Sequence, residues 1–175
     1  MPGPSMTSTK SLKSLMSLKP ARGQWPRIAL AFALAWLLAT VWGTVVQTQF
    51  NLQALARLGV EMPLQLRALV SAQDLVGFGP LYAGVVLAAW LPALAVAIVL
   101  ARRWPAWRGG LIPLAAGTGL IAAVKVADAV APMPVFIDAT RGVPGTLAMV
   151  LGGVLGGALY ARWTRTATPV GVRSA

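Results

Sequence analysis

The chain has 175 residues, 57% of them hydrophobic and only 11% charged, against about 25% charged in an ordinary soluble domain, so it has too little polar surface to cover a water-soluble globule. Its formal net charge is +11, but the basic residues stand at the ends of long apolar runs, where they act as topology signals, and nucleic-acid binding is set aside. Neither cysteine nor histidine occurs, which removes disulfides, thiolate and imidazole metal sites, histidine-ligated haem and Ser/His/Asp triads; no cofactor and no metal are expected.

In chain order, residues 1–24 form a basic segment rich in Ser, Thr, Lys and Pro. Two readings stand for it: a disordered cytoplasmic tail, or a short helix with Leu12, Leu15 and Met16 on one face and Lys10, Lys13 and Lys19 resting on anionic lipid. Residues 25–164 are expected to be an all-α domain of four transmembrane helices, followed by a short tail, 165–175. The first span is predicted at about 28–46, just long enough to cross a hydrocarbon core of roughly 30 Å. It carries Trp36 and Trp42 and leads into Gln47, which reads as an uncleaved anchor, not a signal peptide.

Between the first and second spans, residues 47–74 form the longest stretch that does not cross the membrane. Gln47, Gln49, Asn51 and Gln53 alternate with Thr48, Phe50 and Leu52, and leucines follow on both sides of Gly59 to Pro63. That pattern predicts two short amphipathic helices broken at Gly59 to Pro63 and lying on the outer (periplasmic) face. The segment reads either as a lid over the helix ends or as a docking surface. For docking, the side chains of Gln47, Gln49, Asn51, Gln53 and Glu61 are the candidate hydrogen-bonding groups.

The second span is predicted at about 75–101, with a kink at Pro92. The third, about 110–131, has Pro113 in its first turn. Near its far end come Lys125 and Asp128, three residues apart and so on neighbouring parts of one helical face; ionisable residues at membrane depth usually face a bundle interior or a wet cavity. With Asp138 and Arg141 in the following loop, they form a candidate four-charge cluster at the outer mouth of the bundle. The fourth span, about 143–161, carries Gly152, Gly153, Gly156 and Gly157. These glycines make two side-by-side ridges for close helix packing, within the chain or between copies.

If the N-terminus is cytoplasmic, eleven of the fifteen basic residues fall on the cytoplasmic side, while Arg57, Arg67, Lys125 and Arg141 share the other side with all four acids, Glu61, Asp74, Asp128 and Asp138. Trp25, Trp104, Trp107, Tyr160 and Trp163 gather at the same predicted cytoplasmic ends, where amphipathic rings settle. Both signals predict both termini inside, in a bacterial inner (plasma) membrane. The expected function is that of a non-enzymatic polytopic protein, an accessory or assembly component of a membrane complex, whose partners are the lipid bilayer, other membrane subunits or further copies of itself. The alternatives are an oligomeric small-solute transporter or channel, and an intramembrane lipid-modifying enzyme using Asp128, Asp138 or Glu61 as acid or base. Burial discriminates between them: charges converging in a cavity favour transport or catalysis, and charges facing lipid favour a scaffold.

Overall fold

The computed structural model describes residues 24–130 and 138–165, which are almost entirely helical and contain no strand. The expected tails, and most of the loop that was to carry Asp138, lie outside these residues. Five α-helices follow one another: α1 Trp25–Arg57, α2 Leu64–Gly77, α3 Gly79–Arg103, α4 Arg108–Val130 and α5 Val143–Trp163. Short 3-10 turns, Pro105–Trp107 and Asp138–Arg141, lead into α4 and α5. Helices α1, α3, α4 (with its leading turn) and α5 are each long and apolar enough to cross a membrane. Pro26, Pro80 and Pro144 open α1, α3 and α5 at their first or second positions, where a missing N–H costs nothing.

Several boundaries differ from expectation. α1 does not stop at residue 46; it runs on through the polar stretch Gln47–Arg57, so the first of the two expected surface helices is the upper part of the membrane helix itself. The break at Gly59 to Pro63 is present, with Gly59 at φ +86°, a left-handed conformation that favours glycine. α2 is a separate helix, and the second span begins at Gly79 instead of residue 75. Phe78 between them keeps right-handed helical angles, and its N–H bonds Asp74 while its carbonyl accepts from Tyr82, so helical hydrogen bonding carries on through the junction. Pro113 is the sixth residue of α4, not in its first turn, because that helix already begins at Arg108. Pro92 lies inside α3, which continues past it.

The four long helices form a closed ring in the order α1, α3, α4, α5, with α5 against α1 and α1 touching α3 more sparingly than its other neighbour. Lipid tails are as apolar as the side chains, so close packing, not the hydrophobic effect, must hold this ring. α5 supplies the closeness. A Cβ added at Gly152 would come within 2.4 Å of Trp42, and at Gly156 within 2.6 Å of both the Ala35 carbonyl and Trp90. At Gly157 it would meet Ala116 at 2.7 Å and Pro113 at 2.9 Å, and at Gly153 the Ala116 carbonyl at 3.2 Å. One glycine ridge therefore faces α1 and the other α4, and both are used up inside the chain. The indole N–H groups of Trp36 and Trp42 tie α1 to its neighbours, donating to the Ala83 carbonyl at 3.0 Å and the Ala148 carbonyl at 2.8 Å.

Two large side chains of α3 fill the ring. Trp90, fully buried, reaches across to Gly156 and meets Phe32 edge-on with ring centroids 6.2 Å apart. Tyr82, also fully buried, lies over Gly43 of α1 with Phe78 stacked on it at 5.8 Å.

Candidate functional site

The polar chemistry of the described chain collects at the end of the bundle where α1 runs past the start of α5 and α2 folds back along it. The Gln47 side chain, buried, accepts a hydrogen bond from the Ala139 N–H at 2.8 Å through its Oε1, tying α1 to the turn before α5. Thr48 Oγ1 lies 2.7 Å from Asp74 Oδ2 and 2.9 Å from the Thr44 carbonyl; its single proton is donated to one of them at a time or shared between the two. Gln49 donates to Ser71 Oγ at 2.9 Å and accepts from Arg67 Nη1 at 3.2 Å. Arg67 also donates to the Met62 carbonyl at 3.2 Å, and Ser71 to the Arg67 carbonyl at 2.7 Å.

These pairs share one register. Gly43 with Tyr82, Thr48 with Asp74, Gln49 with Ser71 and Gln49 with Arg67 all have midpoints between about residues 58 and 63, as two antiparallel helices joined at the Gly59 to Pro63 turn require. α1 and α2 thus form a hairpin that extends the bundle. From Gln47 to Arg57, ten helical steps carry α1 about 15 Å past its tie to Ala139.

The faces of α2 are reversed relative to a soluble surface helix. Arg67, Ser71 and Asp74 point toward α1, whereas Leu69 and Val76 are exposed at 56% and 79%. No residue of α2 is buried. Around the tip, Leu55, Leu58, Val60 and Leu64 are exposed as well. The hairpin is tied inside by hydrogen bonds and by the buried Leu52, and its outer surface shows Leu69, Val76 and the tip leucines beside Gln53, Gln65 and Gln73.

Among the residues predicted for binding, Gln47 and Gln49 are therefore spent on internal ties, Asn51 is half-buried, and Gln53 and Glu61 are exposed near the turn. Within the expected charge cluster, Asp128 is half-buried and accepts from Thr140 Oγ1 at 3.4 Å, Arg141 is exposed in the turn before α5, and Asp138 opens that turn. Lys125 is exposed on α4, at the edge of a narrow cleft of about 10 Å³ with Thr140 and Thr146. Among the described residues no group of three or more Asp or Glu is placed to hold a metal ion. Residues central to the hydrogen-bonded tie that sequence reasoning passed over are Thr48, Arg67, Ser71 and Asp74; the symmetry of polar residues about Gly59 to Pro63 was the available signal.

The tie makes a definite prediction. Gln47→Leu leaves the Ala139 N–H without its acceptor, and an orphaned buried donor costs about 1–3 kcal/mol. Unfolding in detergent with increasing SDS should show that loss for Gln47→Leu and a smaller one for Gln47→Glu, which keeps an acceptor oxygen; equal stability of Gln47→Leu and the parent would contradict the assigned role.

Compared with known proteins, the chain matches no protein-family model, no curated protein and no solved structure.

Proposed function

We propose that this protein acts by contact, as a non-enzymatic scaffold or assembly component of a membrane complex, and that the hairpin from Gln47 to Gly77 is the contact element. The observation that carries this reading is the reversed α2: a helix pinned to α1 by Thr48–Asp74 and Gln49–Ser71 presents Leu69 and Val76 away from its own protein. Apolar side chains held outward on a rigid hairpin suit an apolar helix of another membrane protein. The filled ring supports the same reading, since Trp90 and Tyr82 occupy the space a solute path through one copy would need.

The proposal includes orientation. The end bearing eleven of the fifteen basic residues faces the cytoplasm by the positive-inside rule, the hairpin faces the periplasm, and the membrane is the bacterial inner membrane. The chain is free of cysteine, so single substitutions Gln53→Cys at the hairpin and Ala106→Cys at the opposite end report sidedness. An impermeant maleimide applied to intact spheroplasts should label the first and spare the second.

A second reading, an oligomeric transporter, has one observation in its favour. Thr40 Oγ1, Thr44 Oγ1, Tyr82 OH and Trp90 Nε1 are buried and have no hydrogen-bond partner among the described residues, and all four lie on α1 and α3, where the ring is least tightly joined. Purification from native membranes in mild detergent separates the readings. The contact reading predicts a stoichiometric companion that is lost in Leu69→Glu/Val76→Glu; recovery of self-associated copies alone sinks it and puts transport first.

A further inference from the structure

At the opposite end of the bundle from the hairpin, the described chain gathers Arg27, Arg102, Arg103, Arg108, Arg162 and Arg165. The only acidic side chains of the sequence are Glu61, Asp74, Asp128 and Asp138, and none of them belongs to this end, so its arginines carry a strong excess of positive charge. Two of the arginines are brought together. Arg108 is half-buried, and its Nη2 donates to Thr164 Oγ1 at 2.5 Å and to the Thr164 carbonyl at 3.4 Å, which fixes the guanidinium at the end of α5. Arg165 follows in the chain and lies over Gly109, where an added Cβ would be 2.9 Å from its Nη2. Both bonds of Arg108 use Nη2, which leaves Nε and Nη1 to donate elsewhere.

At the start of α4, on residues that flank Arg108 in the chain, Trp104, Trp107 and Leu111 line an open groove of about 330 Å³. Trp107 precedes Arg108 directly, and Leu111 stands one turn further along α4. The two tryptophans are exposed at 53% and 71%, as rings at a membrane–water boundary are.

We propose that Arg108 and Arg165 bind the phosphate of an anionic phospholipid whose glycerol and upper acyl chain lie in the groove of Trp104, Trp107 and Leu111. Guanidinium groups match phosphate oxygens in paired, charge-assisted hydrogen bonds, and two like charges side by side gain most from an anion placed between them. Basic clusters at the ends of transmembrane helices are a recurrent lipid headgroup site, and the apolar groove fits a lipid in preference to free phosphate. This inference is independent of the scaffold reading and of which way the protein faces.

The test is binding of phosphatidylglycerol to the full-length protein in detergent, followed by native mass spectrometry, with phosphatidylcholine as the zwitterionic comparison. Arg108→Gln/Arg165→Gln should weaken phosphatidylglycerol binding about tenfold or more, while Arg27→Gln/Arg162→Gln, an equal change of charge at the same end, should alter it by less than about threefold. Because Arg108 also caps α5, Arg165→Gln alone, which leaves the Thr164 bonds intact, should weaken binding by at least about threefold. Equal losses in the two double variants, no loss in Arg165→Gln, or equal binding of the two lipids would overturn the proposal. So would full displacement of the lipid by millimolar inorganic phosphate, which would mark a phosphate site without a lipid's requirements.

Discussion

Gly156→Leu is expected to abolish the folded bundle, and Gly156→Ala to destabilise it by about 2–3 kcal/mol, at the upper end of the usual cost of overpacking. The first added carbon already comes within 2.6 Å of the Ala35 carbonyl on α1 and within 2.6 Å of the tip of Trp90. The backbone oxygen cannot swing aside as a flexible side chain would, and Trp90 is enclosed on every side. Either α1 and α5 separate or the indole leaves its place. Gly84→Ala is the control, since nothing lies within 4 Å of its added carbon and alanine favours the helix by about 1 kcal/mol. Thermal unfolding in detergent should rank Gly84→Ala at or above the parent, Gly156→Ala well below it, and Gly156→Leu without a cooperative transition; parity of the two alanine variants would remove α5 from the centre of the ring.

Trp90→Ala is expected to cost about 3 kcal/mol, near the bottom of the range for emptying a buried tryptophan site. Its cost comes mainly from lost packing, because an unfolded segment in lipid keeps an apolar environment for the indole. The void would open against Phe32 of α1 and Gly156 of α5. Trp90→Phe should cost far less, since it keeps an aromatic wedge and removes an indole N–H that has no partner among the described residues. Because Trp90 and Gly156 touch, their effects should not add: Gly156→Ala should be tolerated better with Phe at position 90 than with Trp.

The membrane helices were legible in the sequence because span length and hydropathy are set locally, by about 20 consecutive apolar residues. The glycine pairs of α5 were legible as contact ridges, but not which helices they would meet; that depends on the ring order, which no single segment carries. The extent of α1 was missed. Gln47, Gln49, Asn51 and Gln53 read as part of a separate surface helix, yet α1 runs through them unbroken, with Thr48 and Gln49 bonded to α2 and Gln47 to the turn before α5. For the charge cluster, too, the surroundings of each charge depend on how α4 packs. Spacing along α4 puts Lys125 and Asp128 near each other, but rotation of that helix in the ring leaves Lys125 exposed and turns Asp128 toward Thr140. Arg108 and Arg165 lie far apart in sequence and meet because α4 starts where α5 ends.

The contact reading is tested most directly by a photo-reactive amino acid placed one position at a time in intact cells. Leu69 and Val76 on the outward face of α2 are the probe positions, with the exposed Leu37 and Val99 on the membrane helices as comparisons. One discrete cross-linked protein is expected from Leu69 and Val76, and only lipid adducts from Leu37 and Val99. Lipid adducts alone from all four positions would contradict it, leaving the hairpin as a membrane-bound lid with no partner.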